Sequence, residues 1–258
     1  MITDVSAADV ALSLCLVAVA LLITRSRRVG VEGDIVVATF RSAVQLIAVG
    51  FVLEYVFGNH GGLTPLVLLV MIATATATSG TRGKRVPGAY RIAGISVSAA
   101  TAGTLGVLIA LRVVPTAPRA VIPLGSMIIA TAMNTTSLVM TRLHDDLASQ
   151  RREVEARLCL GETSHEASLP WHRAAIRSGM LPSIDQTKVV GLVALPGAMT
   201  GMILAGASPF AAIRLQLVVM YMLLGGSAFA ALAAGELTVR HLFTRDHQLI
   251  RTLRRTPT

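Results

Sequence analysis

The chain alternates between long apolar runs and shorter polar segments. The apolar runs are about 17 to 24 residues long, the length that a helix needs to cross about 30 Å of hydrocarbon. A membrane β-barrel would instead show segments of about ten residues with alternating polarity. The pattern therefore predicts an all-α integral membrane protein with seven transmembrane helices. The predicted spans are Val5–Thr24, Ile35–Phe57, Leu63–Ser79, Ile92–Leu111, Val121–Leu143, Val189–Ala205 and Leu215–Leu237.

The composition agrees with this class. Hydrophobic residues make up 53% of the 258 residues, charged residues make up 14%, and the mean hydropathy is +0.67. A single soluble core would not bury that much apolar surface. We find neither an internal repeat nor a second soluble domain in the sequence. It therefore predicts one transmembrane domain over residues 1–258.

The basic residues predict the orientation. With the amino terminus outside, only Arg112, Arg119 and Arg214 fall on external segments, Arg41 falls within a span, and the remaining Lys and Arg residues are cytoplasmic. This asymmetry follows the positive-inside rule. An odd number of spans then places the carboxyl terminus in the cytoplasm. The same rule accounts for the net charge of +9, so we expect contacts with membrane lipid and no nucleic-acid partner.

A hydrophilic segment, His144–Lys188, separates the fifth and sixth predicted spans. Its first third has apolar residues at helical spacing. Gly161 interrupts this pattern, and Thr163 with Glu166 three residues later forms the Ser/Thr-x-x-Glu box that begins a helix. The segment is therefore predicted to be a cytoplasmic helical loop. The periodicity fits a solvated helical hairpin as well as a partner-binding element.

One motif in this loop favours a partner. Glu155-Ala156-Arg157, followed by three residues and then Gly161, resembles the first half of the EAA loop of ATP-binding-cassette permeases. In those permeases a short cytoplasmic helix seats in a groove of the ATPase. The second half of the motif departs from the usual spacing. The candidate ATPase-coupling residues are Glu155, Ala156, Arg157, Gly161, Thr163 and Glu166.

The sequence has no phosphate-binding loop of the G-x-x-x-x-G-K-[ST] type. Gly83-Lys84 comes nearest, but Thr78 stands where the upstream glycine belongs and an arginine follows the lysine. We therefore expect that this chain is not itself an enzyme and binds no cofactor. If transport is driven by ATP, then ATP and Mg²⁺ are held by a separate ATPase subunit.

Polar residues in the second span are candidates for a transport path. Arg41 and Gln45 are four residues apart and share a helical face, and Glu54 lies near the outer end of the span. Arg41 lies about 10 Å from the inner end at about 1.5 Å per residue, so its guanidinium can instead extend to the headgroups. The pattern leaves both interpretations of Arg41 open.

The fifth span carries a stripe of Ser, Thr, Asn and Met residues with a seven-residue repeat. Met127, Met133 and Asn134 are its path candidates, because thioethers suit soft metals and amide oxygens suit harder ones. Methionine at this spacing more often serves packing. Neither His, Cys nor carboxylate residues show a metal-site spacing in the sequence, so the metal ligands stay unknown.

The sixth span contains Pro196-Gly197 and, four residues on, Gly201. Proline removes a backbone hydrogen bond and small residues allow close helix packing, so we predict a kinked helix that lies tightly against another. Because this span follows the hydrophilic loop directly, the predicted helix would relay movements of the loop.

Five blocks of the sequence resemble the FetB/YbbM family of transporter permeases, which also includes plant aluminium-tolerance proteins. The resemblance covers nearly the whole chain after the first span, and the block in the sixth and seventh spans is the most specific. The blocks are Thr39–Phe57, Glu155–Gly161, Ile176–Asp185, Val190–Gly225 and His247–Leu249.

The resemblance implies a multi-pass permease of the cell inner (plasma) membrane that forms a homodimer and pairs with a separate ABC ATPase. It also implies iron export and a link to oxidative stress. The family tends to carry an asparagine at the position of Thr131, and here Asn134 lies one turn later. Two alternatives stay open: a permease for an organic solute such as a nucleotide sugar, and a channel or scaffold that needs no ATPase.

Overall fold

In the computed structural model of the chain, the structure describes residues 7–27, 30–59, 61–193, 195–244, 246–250 and 253. Regular structure in these ranges is helical, apart from one isolated β-bridge between Phe243 and Leu249. The first two residues of the first predicted span, Val5 and Ser6, lie outside the described residues. The α-helices are α1 Ala7–Ser26, α2 Glu32–Asn59, α3 Thr64–Arg82, α4 Ala89–Ala110, α5 Pro118–Ser149, α6 Arg151–Cys159, α7 Ser164–Val189, α8 Gly197–Leu204 and α9 Pro209–Leu242.

Among the described residues, five helices are long and apolar enough to cross a membrane: α2, α3, α4, α5 and α9. Helix α1 has a shorter apolar part, Ala11–Ser26. These lengths support the prediction of an all-helical membrane protein.

The chain divides into two compact units, residues 1–61 and 62–258. The first unit contains α1 and α2, which contact each other. None of the 18 residues in the most apolar window of α2 is buried. Large apolar side chains such as Phe40 and Leu46 are more than 70% exposed on this helix, as expected of a surface that faces lipid or another subunit.

The second unit is a bundle in which α5 and α9 pack against each other and against α4 and α7, while α3 packs on α4 and α5. Helices α3 and α5 run parallel, because Leu68 lies beside Gly125 at one end and Ser79 Oγ lies 3.0 Å from Ser137 Oγ towards the other. Ile92 and Ile128 are fully buried within the bundle.

Proline and capping residues begin several of these helices. Pro118 and Pro209 occupy the first turns of α5 and α9, where the missing N–H has no helical partner to lose. Ser208 caps α9 by accepting a hydrogen bond from the N–H of Ala211 at 3.4 Å. These local signals place the helix starts where the apolar runs begin.

Helix α7 forms the later part of the segment that was predicted as a cytoplasmic helical loop. It contacts both α5 and α9, and Ala175, Gly179 and Ser183 are buried on one of its faces. A Cβ at Gly179 would collide with Val139 of α5 and lie 3.3 Å from the Thr135 carbonyl oxygen. The later part of α7 therefore packs within the bundle.

The prediction that the sixth span is one continuous, kinked helix is wrong. Helix α7 ends at Val189, Gly191 has a φ of +82°, and Pro196 is the N-cap of α8 and lies outside any helix interior. The eight residues of α8 rise about 12 Å, too short to cross the hydrocarbon alone. A Cβ on Gly197 or Gly201 would meet nothing within 4 Å, so these glycines are not in the close helix contact that we predicted.

Candidate functional site

The break between α7 and α8 opens a cleft in the second unit. Its volume is about 340 Å³, which lies within the range of about 300 to 1,000 Å³ typical of small-molecule sites. Four segments line it: Met127–Thr131 of α5, Gln186 of α7, Pro196–Ala198 at the start of α8, and Gln216–Leu223 of α9. Interrupted helices of this kind mark the substrate sites of many secondary transporters.

Gln216 is the most informative side chain at the cleft. It is 5% exposed, and both its Oε1 and Nε2 atoms are buried with no hydrogen-bond partner among the described residues. An unpaired amide in such surroundings costs about 1 to 3 kcal/mol. The group is a donor and an acceptor at once, so a bound polar ligand would recover this energy.

The start of α8 adds further donors. The first N–H groups of a helix have no partner within it, and no side chain of the N-cap Pro196 accepts from them. Gly197 and Ala198, which carry two of these N–H groups, line the cleft. The positive end of the α8 dipole therefore faces it. Each side chain lining the cleft is neutral: glutamine, threonine, methionine or a smaller apolar residue.

A second feature lies at the end of α5, where α6 forms a short charged helix. Its charges are paired along the helix, with Arg151 Nε 2.9 Å from Glu155 Oε1 and Arg157 Nη2 3.0 Å from Glu153 Oε1. The Arg157 guanidinium carbon also lies 5.6 Å from the centre of the Trp171 ring on α7, a cation–π distance that braces α6 against α7.

The bend after α6 has the predicted form. Gly161 has a φ of +91°, which L-residues with a side chain rarely adopt. Thr163 and Glu166 form the predicted capping box: the Thr163 N–H donates to Glu166 Oε2 at 2.9 Å, and the Glu166 N–H donates to Thr163 Oγ1 at 3.4 Å. The hydrogen bonds from the backbone and side chain of Thr163 lower the pKa of Glu166.

The carboxyl-terminal segment packs against this bend. The sequence did not predict this contact. Leu249 pairs with Phe243 and is 1% exposed in the same core as Val154 of α6. His247 Nδ1 accepts from the Ser164 N–H at 3.1 Å and lies 2.6 Å from Ser164 Oγ. The block His247–Leu249 was one of those that resemble the permease family, but the sequence did not indicate which element this block contacts.

Residues 7–243 match the model of a family described as Uncharacterised protein family (UPF0014). The chain belongs to the UPF0014 family. The match spans both units and includes the cleft and α6. The resemblance to FetB-type permeases drawn from the sequence is confirmed, since the proteins similar to this chain include the FetB protein of Escherichia coli.

Three relatives illustrate the range of this family. The chain is 40% identical over 234 residues to "UPF0014 membrane protein STAR2" of rice, covering 90% of this chain and 82% of the relative. It is 38% identical over 240 residues to "Protein ALUMINUM SENSITIVE 3" of Arabidopsis thaliana, covering 93% and 88%. It is 36% identical over 245 residues to "Probable iron export permease protein FetB" of Escherichia coli, covering 95% of each. No solved structure matches the chain.

The UPF0014 membership and the apolar helices identify a multi-pass protein of the inner (plasma) membrane. The relatives are membrane proteins, and one is named a permease.

Within this UPF0014 chain, the path candidates of α5 do not share one environment. Met127 lines the cleft. Met133 packs against a buried cluster that includes Ala75. Asn134 Oδ1 accepts a hydrogen bond from Arg82 Nη1 at 2.9 Å. The polar residue of α5 that borders the cleft is Thr131, the position at which the resembling family tends to carry asparagine.

The path candidates of α2 belong to the first unit. Arg41, Gln45 and Glu54 are all exposed there. Of the coupling candidates, Ala156 and Gly161 are exposed, while Glu155 and Arg157 are partly buried by their ion pairs. Gln186 and Gln216 were missed, because Gln186 lies among other polar residues at the end of the predicted loop and Gln216 is a single glutamine in the apolar run of the seventh predicted span.

Proposed function

We propose that this chain is the permease subunit of an ATP-binding-cassette transporter that exports iron or a related metal species, driven by a separate ATPase subunit that holds ATP and Mg²⁺. The observation that carries the proposal is the continuity of α7. This one helix starts at the capping box next to α6 and ends at the cleft. Its 26 residues span about 39 Å, enough to join a docking site in the cytoplasm to a site within the membrane.

The topology that goes with this proposal has seven crossings in one permease domain. The later part of α7 and α8 together make the sixth crossing, as a broken helix. The amino terminus is outside and the carboxyl terminus is cytoplasmic, in line with the distribution of basic residues. Two copies of the chain pair with two ATPase subunits.

In the proposed mechanism, the ATPase holds α6 and moves it when ATP binds. The ion pairs along α6 and the Arg157–Trp171 contact transmit the movement to α7. Gly191, at φ +82°, lies at the end of α7, where a loop residue absorbs rotation more easily than a helix does. Movement of α7 relative to α8 then opens or closes the cleft.

Relatives support the choice of cargo. The relative named a probable iron export permease covers 95% of this chain, and two plant relatives of similar length are also membrane or aluminium-sensitivity proteins by name. An organic solute such as a nucleotide sugar is the second candidate cargo, favoured by the neutral, hydrogen-bonding lining of the cleft.

Affinity purification of the tagged full chain from its own membranes tests the coupling. We expect a Walker-motif ATPase to co-purify with the native chain and with Gly106→Ala, where a Cβ meets nothing within 4 Å. Gly161→Val should reduce this recovery, because valine is strained at the φ of +91°. If no ATPase associates, then the chain acts as an ATPase-independent channel or scaffold.

The cargo is tested in cells. A strain lacking the chain should retain more iron and grow poorly under iron with peroxide. Unchanged cellular iron and unchanged growth would exclude metal export and turn attention to the organic solute. Transport by the reconstituted complex, comparing ferrous iron with UDP-glucose, then separates the two cargoes.

A further inference from the structure

The cleft beside the α7–α8 break has the features of a built ligand site. Gln216 is only 5% exposed, and neither its amide oxygen nor its amide nitrogen has a hydrogen-bond partner among the described residues. It borders the cleft from α9, while the uncapped start of α8 borders it from another side. A buried amide without a partner and a helix amino terminus thus border one cavity, and both have hydrogen-bonding groups that a polar ligand can satisfy.

The same features argue against a bare metal cation in the cleft. Metal ions such as Ca²⁺ and Mg²⁺ bind about six to eight oxygen ligands at about 2.0 to 2.6 Å, usually including carboxylates. No side chain lining the cleft carries a negative charge, and the described residues include no group of three His, Cys, Asp or Glu side chains placed to hold a metal. The positive end of the α8 dipole would repel a cation.

The size of the cleft also argues against a bare metal cation. Its volume of about 340 Å³ is roughly ten times the share of one water in the liquid, about 30 Å³. A single ion would leave most of this space unfilled and without contacts. A small organic molecule fills it and reaches α5, α8 and α9 together.

We propose that the cleft binds its cargo as a metal chelate whose outer surface consists of carboxylate and hydroxyl oxygens, and not as a bare cation. This inference rests on the proposed function for the metal cargo. The N–H groups of Gly197 and Ala198 and the Nε2 of Gln216 donate to the chelate oxygens. Gln216 Oε1 and Thr131 accept from its hydroxyl groups. The thioethers of Met127 and Met220 contact its carbon skeleton.

A chelate also reduces the electrostatic cost of transport. A bare cation in the membrane interior has to be compensated by charges that the cleft does not carry. In a hydroxycarboxylate chelate, the ligand oxygens neutralise the metal charge before it enters the cleft. The neutral donors of the protein then need only satisfy oxygen acceptors.

Gln216→Glu separates the two forms of cargo by the sign of its effect. The substitution keeps the shape of the side chain but adds negative charge and removes the Nε2 donor. It should weaken binding of an oxygen-surfaced chelate and strengthen binding of a cation. Gln216→Leu removes the unpaired amide, which favours folding, and it should also weaken chelate binding.

The experiment measures binding of radioactive ferric citrate, and separately of anaerobic ferrous ion, to the purified full chain in nanodiscs. We expect ferric citrate to bind the native protein, and both Gln216→Glu and Gln216→Leu to weaken this binding by about tenfold, as the loss of one buried hydrogen bond implies. Ser227→Ala is the matched control, since the Ser227 hydroxyl donates to the Leu224 carbonyl oxygen of its own helix at 3.2 Å. It should bind as the native chain does.

Three results would overturn the proposal: no binding of ferric citrate by the native chain, chelate binding unaffected by both Gln216 variants, or chelate binding that Gln216→Glu improves. Melting curves of each variant ensure that a loss of binding is not a loss of fold. The measurement needs no ATPase. If the proposed function is wrong, no ATPase co-purifies although the chain still binds the chelate. If the cleft assignment is wrong, the ATPase co-purifies but the chain does not bind the chelate.

Discussion

His247 Nδ1 lies 2.6 Å from the hydroxyl of Ser164 and accepts from its backbone N–H at 3.1 Å. The two residues are 83 positions apart, so this contact ties the carboxyl-terminal segment to the first turn of α7. The backbone of His247 has a φ of +53°, an unusual conformation for a residue with a side chain. The segment is therefore held in place at the bend that the proposed ATPase contacts.

His247→Ala should loosen this bend. The variant removes the acceptor for the Ser164 N–H, and one hydrogen bond contributes about 0.5 to 1.5 kcal/mol. We expect faster amide hydrogen exchange at the start of α7 and less co-purified ATPase. His247→Asn is the control, because its Oδ1 can accept the same hydrogen bond and asparagine tolerates positive φ. Equal exchange in the native protein and His247→Ala would refute a role for this contact.

The capping box at the start of α7 should contribute to stability in a pH-dependent way. Hydrogen bonds from Thr163 lower the pKa of Glu166 from its usual 4.5. The contribution is therefore fully present above pH 4.5 and is lost as the pH falls through the lowered pKa of the folded protein. Hydrogen exchange of the first turn of α7 measures it, and Glu166→Gln should abolish the pH dependence in this range.

Thr163→Ala gives the companion measurement at neutral pH. Removing the N-cap side chain should destabilise the start of α7 by about 1 kcal/mol. Thr163→Ser keeps the hydroxyl and should behave as the native protein does. If Thr163→Ala leaves the exchange of this turn unchanged, then the capping box does not hold the bend.

The close approach of α7 to α5 at Gly179 should tolerate no larger residue. A Cβ there would meet Val139 and lie 3.3 Å from the Thr135 carbonyl oxygen, so Gly179→Ala should destabilise the bundle by about 1 to 3 kcal/mol through overpacking. Gly225→Ala is the matched control, since a Cβ there meets nothing within 4 Å and alanine favours a helix. The melting temperatures of the two variants should move in opposite directions, and equal shifts would contradict the contact.

Met127→Leu and Met133→Leu test the thioethers of α5. Leucine keeps nearly the same volume, so each variant should lose less than about 1.5 kcal/mol of stability. Under the chelate proposal, both should retain transport, because Met127 contributes only apolar contact at the cleft and Met133 packs in a buried cluster. Loss of transport in Met127→Leu alone would indicate that its sulfur ligates a metal.

Much of the fold could be predicted because membrane helices depend on length and hydropathy. The helices α2, α3, α4, α5 and α9 fall close to their predicted spans, since any helix in hydrocarbon must satisfy its backbone internally over about 20 residues. The bend at Gly161 and the capping box at Thr163 were predicted for a similar reason. Their hydrogen bonds join residues within one turn, so the sequence contains both partners.

The extent of α7 and the break before α8 could not be predicted in this way. Averaged hydropathy treats α7 as polar, because Arg177 and Asp185 lie on its outer face while Gly179 and Ser183 lie on the face buried in the bundle. Whether a helix packs in a bundle depends on how well the shape of one of its faces fits the surrounding helices, and averaged hydropathy does not describe that fit. The apolar run after Lys188 likewise looked continuous, although α8 contains only its last part.

The sequence by itself determined the membrane class, the family and the local helix signals, because these depend on composition, length and neighbouring residues. Only the tertiary structure decided where the candidate site lies. Gln216 is one glutamine in an apolar run until α5, α8 and α9 surround it and leave its amide without a partner. His247 likewise acquires its partner only through a contact across 83 positions. Both depend on which distant segments meet, and that is a property of packing in three dimensions.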